Sequence, residues 1–307
     1  MLARGQPIVL DGGLATELEK NGFDISGDLW SAAMLQSNPR AIVDVHRAYL
    51  EAGAECLISA SYQASRMGFA TTGLTAEAAD QLILDSVSLA SAAREEYLAA
   101  HRGQACMPLV AASIGPYGAA LADGSEYSGD YQVSATILQK FHDIRLRLLD
   151  GSGADLLACE TIPDMNEATV LRDLLMNVRK PAWVSFSCRD SERISDGTLL
   201  SEACAQFAGH PKVFAVGINC TPPDLITDLI SAARAGAPDK NIVVYPNSGE
   251  TYHADDNSWS GDTATTSFGF RVEEWLDAGA TLIGGCCRTG PAQIEMVRNA
   301  MRDYADR

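Results

Sequence analysis

Short runs of apolar and small residues recur along the chain, and segments with helical spacing separate them. The runs are nearly continuous rather than alternating, which is typical of parallel strands that are covered on both faces. We therefore expect eight parallel strands. They are predicted at 8–13, 56–62, 109–115, 155–161, 182–188, 213–220, 241–247 and 281–287.

The segments between the runs carry helix signals. Asn38 and Pro39 supply an N-cap and a first-turn proline, and Gly53 stands where a C-terminal cap belongs. The residues 76–100, rich in alanine, leucine and glutamate, predict one long helix. Further helices are predicted at 131–150, 164–179, 201–208, 223–235, 270–278 and 291–303.

Eight strand-then-helix units match an α/β fold of the (β/α)₈ TIM-type barrel class, which takes about 250 residues plus insertions. A doubly wound open sheet is the competing arrangement. The barrel is favoured by the unit count and because the glycine-rich turn at 11–13 lacks the third glycine of a dinucleotide fingerprint. No proline- or serine-rich linker divides residues 1–307, so we expect one domain. Two long connections are present, 62–76 and the polar 247–268, and the second suits a lid over a site.

Composition narrows the class of protein. With 47% hydrophobic residues the chain is not disordered, and 23 basic against 40 acidic residues give a net charge of −17. Because that charge repels phosphate backbones and anionic lipid, we expect no nucleic-acid or membrane partner. No apolar run reaches the length of a membrane span, and the N-terminal residues lack the apolar stretch of a signal peptide. The eight cysteines are then reduced thiols, and we expect a cytoplasmic protein.

The active site of such a barrel forms at the C-terminal ends of its strands, so the last residues of the runs are the candidates. Three cysteines gather there, Cys220, Cys286 and Cys287. Three thiolates from two strand ends are a soft ligand set that selects Zn²⁺, and a fourth position left open is typical of a catalytic rather than a structural zinc. For each of the other five cysteines, burial in the core is the simpler interpretation.

Two acids and two aromatic residues complete the candidates. Asp11 and Glu160 end otherwise apolar strands. Each is either part of a buried ion pair or the cap of a loop, or the two together bind an amino group. Trp30 and Tyr62 either face a cationic substrate with their rings or simply pack. None of the five histidines is assigned to the metal.

Four motifs occur in order along the chain: 11–19 (DGGLATELE), 217–220 (GINC), 245–250 (YPNSGE) and 284–294 (GGCCRTGPAQI). Together they resemble the homocysteine S-methyltransferases, a zinc-dependent (β/α)₈ family that includes the betaine-homocysteine enzymes. The resemblance runs from the first strand to the final helix, so residues 1–307 are expected to form one homocysteine-binding barrel.

The resemblance implies a role for each candidate. Cys220, Cys286 and Cys287 would bind zinc, and the homocysteine sulfur would be the fourth ligand. Asp11 and Glu160 would take the ammonium group of the amino acid. Asn219, which precedes the first zinc ligand, would belong to the shell that orients the ligands. No catalytic residue beyond the metal centre is expected, because coordination to zinc removes the thiol proton.

Within the family the chain is most similar to the branch that uses S-methylmethionine or S-adenosylmethionine. Thr161 follows the glutamate where betaine enzymes carry a tyrosine, and the sequence stops before the arm through which those enzymes oligomerise. We therefore expect methyl transfer from a sulfonium donor to homocysteine, giving methionine, in a monomer or at most a weak dimer. Trp30 and Tyr62 are the residues expected to face the sulfonium.

Three alternatives stay open. One is a betaine-directed enzyme, or one acting on another thiol or a selenol, on the same barrel. Another is an enzyme that binds a phosphorylated substrate at the turn 284–285, which the acidic balance and the cysteines disfavour. The third is a non-catalytic zinc protein, which would need four protein ligands where the sequence offers three.

Overall fold

The computed structural model describes residues 7–25, 27, 29–103, 106–253, 258–260 and 268–307. Half of the expected lid at 247–268, residues 254–257 and 261–267, lies outside these residues. Of it, the structure describes the first turn and the backbone of a short antiparallel pair, β8 (Thr251–His253) with β9 (Ser258–Ser260).

Eight parallel strands form the predicted barrel. Each overlaps the apolar run that predicts it, and their order in the sheet is β1-β10-β7-β6-β5-β4-β3-β2. The ring closes between β1 and β2 through a parallel bridge from Leu10 to Cys56, where the Asp11 amide donates to the Cys56 carbonyl at 3.1 Å. The strands are β1 (Ile8–Val9), β2 (Cys56–Ile58), β3 (Leu109–Ile114), β4 (Leu156–Ile162), β5 (Ala182–Phe186), β6 (Val213–Asn219), β7 (Asn241–Tyr245) and β10 (Ala280–Ile283).

Helices follow the strands and cover the outside of the barrel. The Asn38 side chain accepts from the Ala41 amide at the start of α3, and Gly53 ends that helix with φ +104°, a value that favours glycine. The helices are α1 (Leu14–Lys20), α2 (Met34–Ser37), α3 (Pro39–Ala52), α4 (Arg66–Ala70), α5 (Ala76–Ala100), α6 (Tyr117–Leu121), α7 (Ala135–Gly151), α8 (Met165–Leu175), α9 (Leu200–Ala205), α10 (Ile226–Gly236), α11 (Phe268–Ala278) and α12 (Pro291–Ala305).

All eight predicted helices are present, with ends that differ by a few residues. The short helices α1, α2, α4 and α6 were not predicted, because one or two turns are too few to show a helical period. They lie in the connections after β1, β2 and β3, at the end of the barrel where the strands finish. Among the described residues, no helix combines the length and apolar character needed to cross a membrane.

Alternate strand residues build two apolar layers. Leu156 and Ala158 of β4 pack in one cluster with Trp183 and residues of most other strands, which fills the barrel interior. Leu157 and Cys159 belong to a larger cluster shared with the surrounding helices. This alternation decides which strand-end side chains reach the mouth of the barrel.

Candidate active site and metal centre

Three cysteines converge at the mouth of the barrel. Cys220 directly follows β6, and Cys286 and Cys287 lie in the turn after β10. Their sulfur atoms lie within 4.8 Å of one another, and the Sγ atoms of Cys220 and Cys287 are 3.5 Å apart. Sulfurs that share one tetrahedral zinc at Zn–S distances near 2.3 Å lie roughly 3.8 Å apart. The donor set therefore fits a thiolate-bound metal of this kind, and it is the only such group among the described residues.

The backbone around the cysteines is fixed by neighbouring strands. The Cys220 amide donates to the Tyr245 carbonyl at 3.1 Å, and the Cys286 amide donates to the Pro246 carbonyl at 2.8 Å. Cys220 has φ +49°, a conformation that residues other than glycine rarely adopt. Strain of this kind persists only where the surroundings determine the backbone, and it clusters at functional sites.

Asn219 connects the cysteines to the end of β4. Its Oδ1 accepts from the Thr161 amide at 2.7 Å and from the Ser185 hydroxyl at 2.8 Å. Its Nδ2 donates to the Thr161 hydroxyl at 2.7 Å and lies 4.0 Å from the Cys286 sulfur. Thr161 has φ +59°, which is strained for a β-branched residue. Fully buried Asn219 thus holds the end of β4 beside the sulfurs.

Glu160 faces the cavity because it continues the inward-facing positions 156 and 158 of β4. One carboxylate oxygen accepts from the Ser113 hydroxyl and the other from the Tyr245 hydroxyl at 3.0 Å. Burial raises the pKa of Glu160 to about 7, although both hydroxyl donors lower it. A cation that entered the cavity would favour the ionised carboxylate.

Asp11 follows the inward-facing Leu10, so its side chain turns toward α3 rather than into the cavity. Its side chain is almost fully buried, and its Oδ2 accepts from the Ile58 amide at 2.8 Å. Its other oxygen has no hydrogen-bond partner among the described residues, and the ring of His46 approaches Oδ2 at 4.0 Å. Burial raises the pKa of this carboxyl well above its usual range. Gly12 and Gly13, next in the chain, line the cavity itself.

The cavity at the barrel mouth has a volume of about 680 Å³ including its open side. The structure brings most of the predicted residues to its wall, while Asp11 and Asn219 stand behind that wall. Its aromatic lining includes Tyr127, which the sequence did not single out and whose hydroxyl lies 3.6 Å from the Cys220 sulfur. The predicted residues that line it are Trp30, Tyr62, Glu160, Cys220, Cys286 and Cys287.

Arg145 is a second residue that the sequence analysis missed. Its buried guanidinium donates to the carbonyls of Gly115 at 2.7 Å, Ser61 at 2.9 Å and Tyr62 at 2.8 Å. Burial lowers the pKa of Arg145 to about 10. The arginine thereby ties together the ends of β2 and β3 and fixes the segment that carries Tyr62. Arg145 lies two helical turns after Leu138, a buried residue of the same helix. This spacing could have predicted that Arg145 is on the buried face of the helix.

Fold and site together define a (β/α)₈-barrel enzyme whose mouth carries a cluster of three cysteines beside a cavity that holds the buried carboxyl of Glu160. A family model described as homocysteine S-methyltransferase matches residues 8–301. The chain is therefore a methyltransferase and belongs to the homocysteine S-methyltransferase family. The resemblance noted from the four motifs is confirmed.

Individual proteins agree with this assignment. The chain is 46% identical to homocysteine S-methyltransferase YbgG of Bacillus subtilis, over 94% of this chain and 93% of that protein. It is 47% identical to homocysteine S-methyltransferase of Escherichia coli, over 97% and 96%. The crystal structure of the metallated form of the homocysteine methyltransferase MmuM from Escherichia coli matches with a TM-score of 0.86, at 45% identity over 96% of each chain.

Proposed function

We propose that this chain transfers a methyl group from a sulfonium donor, S-methylmethionine or S-adenosylmethionine, to homocysteine, with zinc bound by Cys220, Cys286 and Cys287. The observation that carries the proposal is the convergence of three sulfurs, within 4.8 Å of one another, on the wall of a cavity that also holds a buried carboxylate. With three protein ligands, one position is left for the sulfur of the acceptor.

The bound zinc supplies an ionised acceptor, because a free thiol with a pKa near 8.5 is only a few per cent thiolate at neutral pH. The acceptor sulfur forms a bond to the methyl carbon as the bond from that carbon to the donor sulfur breaks. The electron pair of the broken bond stays on the donor sulfur, which leaves as a neutral thioether. The methylated acceptor is methionine.

Glu160 is placed to bind the ammonium group of homocysteine. The hydroxyls of Ser113 and Tyr245 fix both of its oxygens, and an ammonium group would keep the carboxylate ionised at neutral pH. Asp11 lies behind the glycine turn at 12–13, its second oxygen has no hydrogen-bond partner among the described residues, and a nearby cation would favour its ionised form. Both acids therefore favour a cationic end of the acceptor.

The aromatic wall suits a donor that loses its positive charge in the transition state. Trp30, Tyr62 and Tyr127 line the cavity, and aromatic faces attract a sulfonium without a fixed counter-ion. A carboxylate paired with the sulfonium would stabilise the charged donor more than the transition state, where that charge disperses. Rings that also exclude water favour transfer of the methyl group over its loss to solvent.

The decisive experiment measures metal content and methionine formation together. We expect about one zinc per chain, and we expect Cys287→Ser to lower both metal content and turnover at least 100-fold, since two protein thiolates bind zinc much more weakly than three. Cys106→Ser is the matched control, because Cys106 is exposed, contrary to the core position expected for it, and is distant from the cluster in sequence. It should change neither quantity. Full zinc content and turnover in Cys287→Ser would contradict the metal assignment.

A donor panel tests the second half of the proposal. Methionine formation from homocysteine should have a higher kcat/KM with S-methylmethionine or S-adenosylmethionine than with betaine. The physical reason is that Thr161 presents no aromatic ring to a quaternary ammonium at the end of β4. A preference for betaine would contradict the sulfonium assignment while leaving the zinc assignment in place.

A further inference from the structure

A second cavity adjoins the first at the barrel mouth. Its volume is about 650 Å³ including its open side, and the turns after β5, β6 and β7 form its walls. Tyr127 and Cys220 line both cavities. The thiolate cluster therefore lies at the boundary between two chambers, only one of which the acceptor needs.

Opposite charges face this second cavity. Glu250 is buried, and its Oε2 accepts from the Ser248 hydroxyl at 2.8 Å and from Arg288 Nε at 2.9 Å. Arg189 is half exposed, with its Nε 3.6 Å from a carboxylate oxygen of Asp190. The cavity thus presents a fixed carboxylate and an accessible guanidinium.

The position of Arg189 is built into the loop after β5. Its guanidinium lies against Gly197, where a Cβ atom would come within 2.9 Å of both Nη1 and Nη2. Gly197 has φ +99°, so both the space and the backbone conformation favour glycine at this turn. A short side chain at 197 would displace the guanidinium from the cavity wall.

In-line methyl transfer requires space for the donor on the side away from the acceptor. In an in-line transfer the donor sulfur lies on the side of the methyl carbon opposite the acceptor sulfur, so the rest of the donor extends away from the acceptor. S-methylmethionine and S-adenosylmethionine carry the same zwitterionic end, an α-carboxylate and α-ammonium two methylene groups from the sulfonium. An α-amino-acid end needs one cationic and one anionic partner.

We propose that the second cavity binds the α-amino-acid end of the donor, with Arg189 taking the carboxylate and Glu250 the ammonium group. The inference rests on the proposed function. A guanidinium presents a planar fork of donors that matches a carboxylate, which makes arginine the suited partner. Betaine lacks an ammonium group that can donate hydrogen bonds, so this cavity selects amino-acid donors over betaine.

The test compares donors with and without the amino-acid end. We expect Arg189→Gln to raise the KM for S-methylmethionine and for S-adenosylmethionine at least tenfold, while the KM for homocysteine stays unchanged. Trimethylsulfonium keeps the sulfonium but has no amino-acid end, so its kcat/KM should be the same in Arg189→Gln and wild type. Arg193→Gln is the matched control, since Arg193 lies in the same loop, pairs with Glu192 at 3.0 Å and does not line the cavity. Of S-methylmethionine and S-adenosylmethionine, the one with the greater kcat/KM in the wild-type protein is the donor whose amino-acid end the cavity binds.

Calorimetric titration with S-methylmethionine gives a readout independent of turnover, and binding should weaken at least tenfold in Arg189→Gln. An unchanged donor KM in Arg189→Gln, with an active wild type, overturns this inference and leaves the proposed function standing. An equal loss with trimethylsulfonium also overturns it, because Arg189 would then support the site as a whole. If the wild type forms no methionine from any sulfonium, the proposed function fails, and the titration alone decides whether the cavity binds the amino-acid end.

Discussion

Replacing Asn219 with alanine tests whether this residue positions the thiolate cluster. The substitution removes the acceptor for the Thr161 amide and the donor to the Thr161 hydroxyl, both at 2.7 Å and both buried. Two buried polar groups that each lose a hydrogen bond cost about 1–3 kcal/mol each. Release of the positive φ at Thr161 returns about 1–3 kcal/mol. We expect a net loss of about 1–3 kcal/mol in the free energy of unfolding.

The measurement is a thermal melt of the metal-free protein together with a zinc competition against a chelator. The net loss corresponds to a Tm lower by roughly 2–5 °C for a chain of this size. Cys220 directly follows Asn219, and the side-chain Nδ2 of Asn219 lies 4.0 Å from Cys286 Sγ. We therefore expect the affinity for zinc to fall by about 10–100-fold in Asn219→Ala.

Ser185→Ala is the matched control for Asn219→Ala. It removes the third hydrogen bond to Asn219, at 2.8 Å, and leaves both bonds to Thr161 in place. Its effect on zinc affinity should therefore be small. The reasoning is refuted if Asn219→Ala retains wild-type zinc affinity, or if Ser185→Ala weakens zinc binding as much as Asn219→Ala does.

Two further predictions concern buried charges. Arg145→Met leaves the buried carbonyls of Gly115 and Ser61 and the partly buried carbonyl of Tyr62 without this donor, and it should lower stability by about 3–5 kcal/mol in a denaturant melt. The exposed Arg147→Met should cost no more than about 1 kcal/mol. Equal effects would contradict the structural role of Arg145. The pKa of Glu160 is raised from 4.5 to about 7, so its contribution to stability is fully present below about pH 4.5 and is lost as pH rises through about 7. Metal-free Glu160→Gln should therefore lose less stability than wild type between about pH 5 and about pH 8, and identical pH profiles of the denaturation midpoint would contradict this.

The strands and the convergence of the three cysteines could be predicted because each apolar run is a local signal. A parallel strand covered on both faces needs a continuous apolar run, and a barrel brings the ends of such runs to one mouth. Cys220 and the Cys286–Cys287 pair could therefore be placed together, although 65 residues of chain separate Cys220 from Cys286. The caps of α3 were equally local, since Asn38, Pro39 and Gly53 act on their own helix.

The other features of the site could not be predicted, because they depend on which way a side chain points or lie in loops whose sequence has no repeating pattern. Ile8 and Leu10 fill the barrel interior, so alternation turns Asp11 toward α3 and away from Glu160. Tyr127 belongs to a single 3₁₀ turn, Ser125–Tyr127, which shows no repeating pattern in the sequence. Arg145 lies on the buried face of a helix, where a charged residue is unexpected unless its carbonyl partners are known.

The placement of the cysteines after β6 and β10 constrains how the protein matures. These strands are not neighbours in the sheet, because β7 lies between them, and β10 is the last of the eight to leave the ribosome. A nascent chain therefore carries Cys220 for many residues of synthesis without its two companions. The three sulfurs can meet only once β10 has joined the sheet, and until then the Cys220 thiol is open to oxidation without its two neighbours.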